Sequence, residues 1–571
     1  MNAAPFRSLF EFKTDKTVYR PLGRESVRAE SRGGRRFVRV GARALCRLAR
    51  EAFADLSFYL RPSFLSNLAA ILDDPESSAN DRFVAEALLR NAVISAEGEL
   101  PLCQDTGTIN VIAYKGHRLL TDGRDEEALA RGAASVYRRR NLRYSQMAPL
   151  SVFEESNTGN NLPAQIDIAA AEGDEYQFLF LAKGGGSSNK TALFQESKAF
   201  LNERSLAAFL EEKIAALGVA ACPPYRIAVV VGGLSPEMTL KTVKLATTGW
   251  LDGLPGRGRR GGAAFRDAAW EARMMDAARA SGLGAQFGGR HLAHEVRFIR
   301  LPRHAGSCPV GIGVGCNADR SLKGRITSDG IFLEAVERNP AKYLPRRTKS
   351  SINSADGGRG PGQSPGIRSR RTHQRPKIAD ECERGTLAAV AIDLDLPMAE
   401  IRKTLSAHPI GTLLRLSGPL IVARDIAHAR LKKILDETGD VPAYFKDHPV
   451  YYAGPAKTPR GYASGSFGPT TGQRMDGYLA AFMKAGASLI TLAKGNRSPD
   501  VTEACRTFGG FYLGTIGGAA ALAAKEHILS SEIVDYADLG MEAVRRIVVR
   551  DLPAFILSDD KGGNLYSRGT R

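Results

Sequence analysis

The segment Tyr176-Gln177-Phe178-Leu179-Phe180-Leu181-Ala182, followed at once by Lys183-Gly184-Gly185-Gly186-Ser187-Ser188-Asn189-Lys190-Thr191, decides how this chain is read. Its first part is a short apolar run with aromatic residues, which reads as a largely buried strand. Its second part is a turn in which three glycines let the backbone approach another group, and their amides with Lys190 suit an anion. The turn resembles a phosphate loop, but Asn189 stands where that motif needs glycine before Lys-Thr, so an anion site is expected and a nucleotide site is not.

Working outward, similar polar loops recur at the ends of regular elements. Val84, Ala85, Leu88 and Leu89 fall mostly on one face of a helix over 82–96, which leads to Pro101-Leu102-Cys103-Gln104-Asp105-Thr106-Gly107. Cys103 there is open to three readings: ligand, nucleophile or buried thiol. Ser205 is expected to cap the next helix, which Gly218 stops, and Cys222 follows on a proline-rigid loop. Arg226-Ile227-Ala228-Val229-Val230-Val231 reads as a buried strand leading to Ser235-Pro236-Glu237, a helix start and a second plausible anion site. Further on, His304 precedes Cys308, and Cys316 follows three spaced glycines, so a zinc site on these three residues is a rival reading. Beyond residue 386, Ala389-Val390-Ala391-Ile392, Leu420-Ile421-Val422 and Leu489-Ile490-Thr491-Leu492-Ala493 alternate with a helix over 426–435, the pattern of a smaller α/β domain.

Composition bounds the function. With 571 residues, more than one core is expected. No apolar run has the length of a signal peptide or a membrane span, and seven scattered cysteines do not form a disulfide framework, so the expected compartment is the cytoplasm. The net charge of +18 suggests nucleic acid, yet residues 346–377 alone hold nine Lys or Arg against Asp356. That segment is rich in Arg, Ser, Gly and Pro and reads as a disordered linker. No aromatic residues interleave its charges for base stacking, which argues against a nucleic-acid partner; a repurposed nucleic-acid-binding chain is the alternative from outside enzymology.

In order along the chain, the phrases 101–107, Asn141-Leu142-Arg143-Tyr144-Ser145-Gln146, Asn160-Asn161-Leu162-Pro163-Ala164-Gln165, 183–190, 301–308 and Ser464-Gly465-Ser466-Phe467-Gly468-Pro469-Thr470-Thr471-Gly472-Gln473-Arg474 resemble class I fumarase. The resemblance implies a mixed α/β (α+β) fold: a large cluster-bearing N-terminal domain, here 1–345, and a smaller α/β domain, here 386–571, closing over a shared cleft; the linker between them, 346–385, is read from its composition and is longer and more basic than the family's usual connection. The resemblance also implies a homodimer that reversibly hydrates fumarate to (S)-malate. A related hydro-lyase acting on tartrate or mesaconate is the alternative within the same chemistry.

Carried over position by position, the resemblance makes Cys103, Cys222 and Cys316 the ligands of a 4Fe-4S cluster. Three thiolates on a cubane leave one iron open as a Lewis acid. Thr470 is implied as the base, with Asp105 and His304 in proton handling. Gln104, Asp105, Arg143, Gly186, Asn189, Lys190, Arg424, Thr470, Thr471, Arg474 and Lys494 are implied to contact the dicarboxylate. Cys46, Cys382 and Cys505 match no ligand phrase and are read as structural or incidental thiols. Gly472-Gln473 departs from the family's usual Ala-Gly beside the implied base.

Overall fold

The computed structural model describes residues 8–12, 15–345 and 388–569. The basic segment 346–377 and Cys382 lie outside the described residues.

Two large sheets and their helices, with a small three-stranded and a small two-stranded sheet beside them, form the first part. A six-stranded sheet runs in the order Tyr19–Gly23, Gly330–Glu334, Ser321–Thr327, Tyr176–Lys183, Thr108–Gly116, Gln165–Ala171. The expected strand at 176–182 sits inside it, flanked on both sides, which is why its side chains are nearly all buried. A five-stranded sheet, with Tyr225–Gly233 wholly buried at its centre, runs Ala192–Glu196, Cys308–Gly315, Tyr225–Gly233, Ala293–Arg303, Phe265–Arg266.

In the second part, Leu413–Val422, Val450–Tyr451, Ile490–Ala493 and Phe511–Gly514 are mutually parallel. The long strand Val544–Ser558 pairs antiparallel with both Phe511–Gly514 and Leu413–Val422 and so closes the five into a ring. The three strands expected beyond residue 386 are present, with Val390–Asp393 at the edge. The closing strand was not expected, because Arg545, Arg546, Arg550 and Asp551 break its apolar pattern.

The helix expected over 82–96 spans Ala79–Ser95 and begins at a capping box in which Ser78 and Asp81 bond each other's backbone N–H. The helix expected to start at Ser205 starts one turn earlier, over Glu203–Ala216. Asn202 is its cap, accepting from Ser205 N–H at 3.0 Å, because its carbonyl reaches the free amide that Ser205 exposes.

The hydrophobic core crosses the division between the two parts. Phe64, Leu65, Leu68, Val84, Leu88, Leu89 and Phe287 belong to the same buried cluster as Leu414, Tyr451, Leu492, Leu513 and Phe555.

Candidate active site

Strand register brings distant loops together. Arg226 pairs with Gly315 across antiparallel strands, so Cys222, just before one strand, and Cys316, just after the other, become neighbours. The Asn317 N–H donates to the Cys222 carbonyl at 3.1 Å. In the six-stranded sheet Thr108 pairs with Lys183, which sets the Cys103 loop beside the glycine-rich turn. Residues 317–320 carry the chain from Cys316 in one sheet to Ser321 in the other, where Ser321 pairs with Leu181. Opposite these loops lie the C-terminal ends of the parallel strands in the second part, where open α/β sheets place their sites. Lys494 follows one of them directly, and its Nζ donates to Cys222 Sγ at 2.7 Å.

The three thiols sense one another. Burial pushes Cys222 up to about 11, with Cys316 and Cys103 reinforcing it and Lys494 opposing. Burial also raises Cys103, against the pull of Arg320 and Lys494. Burial disfavours the Lys494 ammonium, but the thiols, Cys222 foremost, outweigh it and raise Lys494 above its ordinary value. Cys222 is held at φ +65°, a left-handed conformation that a non-glycine residue keeps only where its surroundings over-determine it.

Asp105 takes part of the expected anion cradle. The turn forms a single helical turn over Gly185–Ser188, and the Gly185 N–H donates to Asp105 Oδ2 at 2.9 Å. One amide of the cradle, that of Gly185, thus meets the chain's own carboxylate. Arg143 meets its other oxygen at 3.2 Å. Burial works against the charge, but Arg143, Arg320 and the Gly185 amide hold Asp105 down at about 2. Gly186 faces Lys494, whose Nζ would stand 3.5 Å from a Cβ there. For Asn189 and Lys190 the described residues give backbone bonds that close this turn, and no side-chain bond.

From the second part, Gln104 is gripped by the Pro469 carbonyl, to which its Nε2 donates at 3.0 Å. Thr470 is pinned on both sides: its N–H donates to Tyr452 O at 2.8 Å, and its carbonyl accepts from Lys494 N–H at 3.1 Å. Arg474 donates to Thr470 Oγ1 and pairs with Asp425 at 3.0 Å. Thr471 Oγ1 reaches the Ala220 carbonyl at 3.3 Å, beside the Cys222 loop. Arg424 is buried against Glu542 at 2.7 Å. Burial brings its guanidinium down to about 10, Glu542 pulls it back, and Arg143 and Arg474 add repulsion, so the three arginines share one electrostatic neighbourhood.

His304 is not brought to this place within the chain. It follows the strand Ala293–Arg303, at the end of the sheet where Cys308 begins the eight-residue strand Cys308–Gly315. At about 3.3 Å per residue, roughly 26 Å separates Cys308 from Cys316. The rival zinc site on His304, Cys308 and Cys316 is therefore excluded. The helix start at Ser235 shares that far end, away from the three thiols, and its Met238 amide is capped by Ser235 Oγ at 3.1 Å.

Two residues in the site were not anticipated. Arg320 is buried, donates to the Asp105 carbonyl and lies among Cys103, Cys316 and Asp105. Asn161, fully buried, accepts from Ser145 and Gln146 N–H and donates to the Gly107 carbonyl at 3.0 Å, tying the Arg143 segment to the Cys103 loop. Asn161 lies inside one of the quoted phrases. For Arg320, an arginine soon after Cys316, no local pattern distinguishes it from a surface charge.

Comparison with known proteins adds an independent line. The Fumarate hydratase (Fumerase) family model matches residues 46–325, and the Fumarase C-terminus model matches 364–569. The aerobic class I fumarate hydratase of Escherichia coli K12 is 50% identical over 570 residues, covering 100% of this chain and 98% of that protein. Fumarate hydratase 2 of Leishmania major is 50% identical over 535 residues, 94% of this chain and 88% of that protein. The putative L(+)-tartrate dehydratase of Methanocaldococcus jannaschii resembles it in two pieces. Its alpha subunit is 29% identical across 49% of this chain and 96% of that protein, and its beta subunit 28% identical across 29% and 87%.

Proposed function

The chain belongs to the class I fumarate hydratase family and is a hydro-lyase, and from that premise we propose that it converts fumarate and (S)-malate reversibly in the cleft between its two parts. The observation that carries this reading is the convergence of three thiols from the first part with Thr470, Arg474 and Lys494 from the second.

The donor set suits a 4Fe-4S cluster held by Cys103, Cys222 and Cys316. Arg320 Nε is buried without a partner beside Cys103 and Cys316, an orphaned donor that an anionic group would satisfy. Among the described residues, no three His, Cys, Asp or Glu side chains stand close enough to hold a single ion. When bound, a cluster with three thiolate ligands supplies an open iron as Lewis acid toward the substrate hydroxyl.

The chain's own residues account for the rest. Arg143, Arg424 and Arg474 receive the two carboxylates, and their charge stabilises the second negative charge that builds on one carboxylate when the adjacent C–H loses its proton. Thr470 Oγ1 takes that proton. The Arg474 guanidinium donating to this oxygen favours its anionic form, which a free threonine does not reach near neutrality. Asp105, held at about 2 by Arg143, Arg320 and the Gly185 N–H, stays an anion at neutral pH; it orients Arg143 and accepts hydrogen bonds, and is too weak a base to hold a proton there. Gln104 orients the Pro469 carbonyl next to Thr470. Within one chain His304 stands too far away to act, so in the homodimer we propose it contributes only from a second copy.

The test is anaerobic reconstitution with iron and sulfide, followed by assay on fumarate, tartrate and mesaconate. We expect oxygen-labile turnover of fumarate. Arg474→Lys, which keeps a cation but loses the fork, should lower kcat by about 100-fold with iron content unchanged. Turnover on tartrate or mesaconate alone would overturn the substrate assignment.

A further inference from the structure

After the strand Ile490–Ala493 the chain sends successive residues to different walls of the site. Lys494 reaches Cys222, and its backbone holds both Thr470 and Gly472. Gly495, at φ +89°, lies so close to the cysteine loop that a Cβ there would stand 2.8 Å from Ala220 Cα. Asn496 Oδ1 accepts from the Val219 N–H at 2.9 Å. The same oxygen would be 2.6 Å from a Cβ on Gly218, which sits at φ +58°. Two backbones from opposite parts of the molecule are thus in contact, with glycine at the closest points; besides the bonds of Lys494 to Cys222 and of Thr471 to Ala220, the Asn496 side chain holds a backbone N–H of the cysteine loop directly.

We propose that Asn496 is a positioning residue that sets the Cys222 loop against Lys494. The Val219 N–H belongs to a tight turn, since Cys222 N–H donates back to Val219 O at 3.2 Å. An acceptor on Val219 therefore fixes where that turn, and Cys222 at its end, stands relative to the strand end bearing Lys494. Asn496 acts through these groups and touches no position assigned to the substrate. Only an acceptor is required, so aspartate should serve in its place. The catalytic part of this inference rests on the functional reading above; the positional part does not.

The experiment compares Asn496→Ala and Asn496→Asp in the full chain. In protein without cluster, amide hydrogen exchange read by mass spectrometry should be about tenfold faster in Asn496→Ala for the peptide spanning 218–222, at an unchanged melting temperature, and near wild type in Asn496→Asp. After reconstitution, kcat on fumarate should fall about tenfold in Asn496→Ala with KM little changed, and return to within about threefold in Asn496→Asp. Unchanged exchange at 218–222 in Asn496→Ala, faster exchange spread over the whole chain, or an Asn496→Asp variant as impaired as Asn496→Ala would each overturn the proposal. If the wild type fails to turn over fumarate, the functional reading falls while the exchange arm still decides the role of Asn496.

Discussion

At the scale of single residues, the site is shaped as much by what is missing as by what is present. Gly517 lies in the second part, and a Cβ added there would stand 2.4 Å from Cys222 Sγ and 2.9 Å from Lys494 Cδ. Gln286 and Asn317 from the first part both donate to the Gly517 carbonyl, at 2.9 and 3.0 Å, so the backbone at 517 cannot retreat without losing both bonds. Gly517→Ala is therefore expected to cost about 1–3 kcal/mol by overpacking. It should also lower the iron taken up on reconstitution, because Cys222 must move to make room. Thermal unfolding and iron quantification on the same preparation check this; a variant that loads iron like the wild type would show that the contact is slack.

At the scale of elements, the helix Asp425–Thr438 does two things at once. Arg424 at its N-terminal boundary faces the site, while His428, one turn in, points into a closed aromatic cluster. His428 is fully buried, lies edge-on to Tyr452 with centroids 4.9 Å apart, and neither ring nitrogen has a hydrogen-bond partner among the described residues. Burial, helped by Arg497, pushes it down to about 3. A histidine whose folded value is depressed favours unfolding once the unfolded chain binds a proton, so stability falls as pH drops below about 6.5 and continues falling toward the folded value. From about pH 6.5 to about pH 5 this single group should remove about 2 kcal/mol. His428→Phe fills the same space without titrating. Denaturant melts at the two pH values should show the variant losing less stability than the wild type by about that amount; equal losses would mean that His428 finds a partner for its proton.

At the scale of the whole molecule, the shared core argues against two independently folded units. The helices Pro62–Asp73 and Ala79–Ser95, early in the chain, complete the core of the C-terminal ring, with Asn91 Oδ1 accepting from the Ala521 and Leu522 N–H groups at 2.8 and 3.0 Å. The two halves produced separately, as residues 1–345 and 386–571, should each be aggregation-prone, because each exposes the face that the other buries. Co-expressed, they should co-purify and support turnover without residues 346–385. The precedent is that the putative L(+)-tartrate dehydratase of Methanocaldococcus jannaschii, similar to 49% and 29% of this chain, is named as separate alpha and beta subunits. A 386–571 fragment that is monomeric and melts cooperatively by itself would contradict the expectation. Among the described residues, no helix is long and apolar enough to cross a membrane.

Local pattern by itself determined much of this protein: the buried strand at 176–182, the strand entering Gly232, the Ser235 cap, and the α/β character of the second part were all legible from periodicity and capping residues. The uncommon polar phrases likewise marked which cysteines and arginines to watch. Only the tertiary structure decided which of these meet. Strand register, a long-range property that no window of sequence contains, makes Cys222 and Cys316 neighbours and separates Cys308 and His304 from them by the length of a strand. The amides of the glycine-rich turn were visible in the sequence, but the carboxylate that meets one of them was not: Asp105 is far away in the chain and is brought alongside by pairing of Thr108 with Lys183. Arg320 and Asn496 escaped notice for the same reason. An arginine or asparagine acquires its role from what surrounds it after folding, and burial among thiols or against a turn from the other half leaves no local signature.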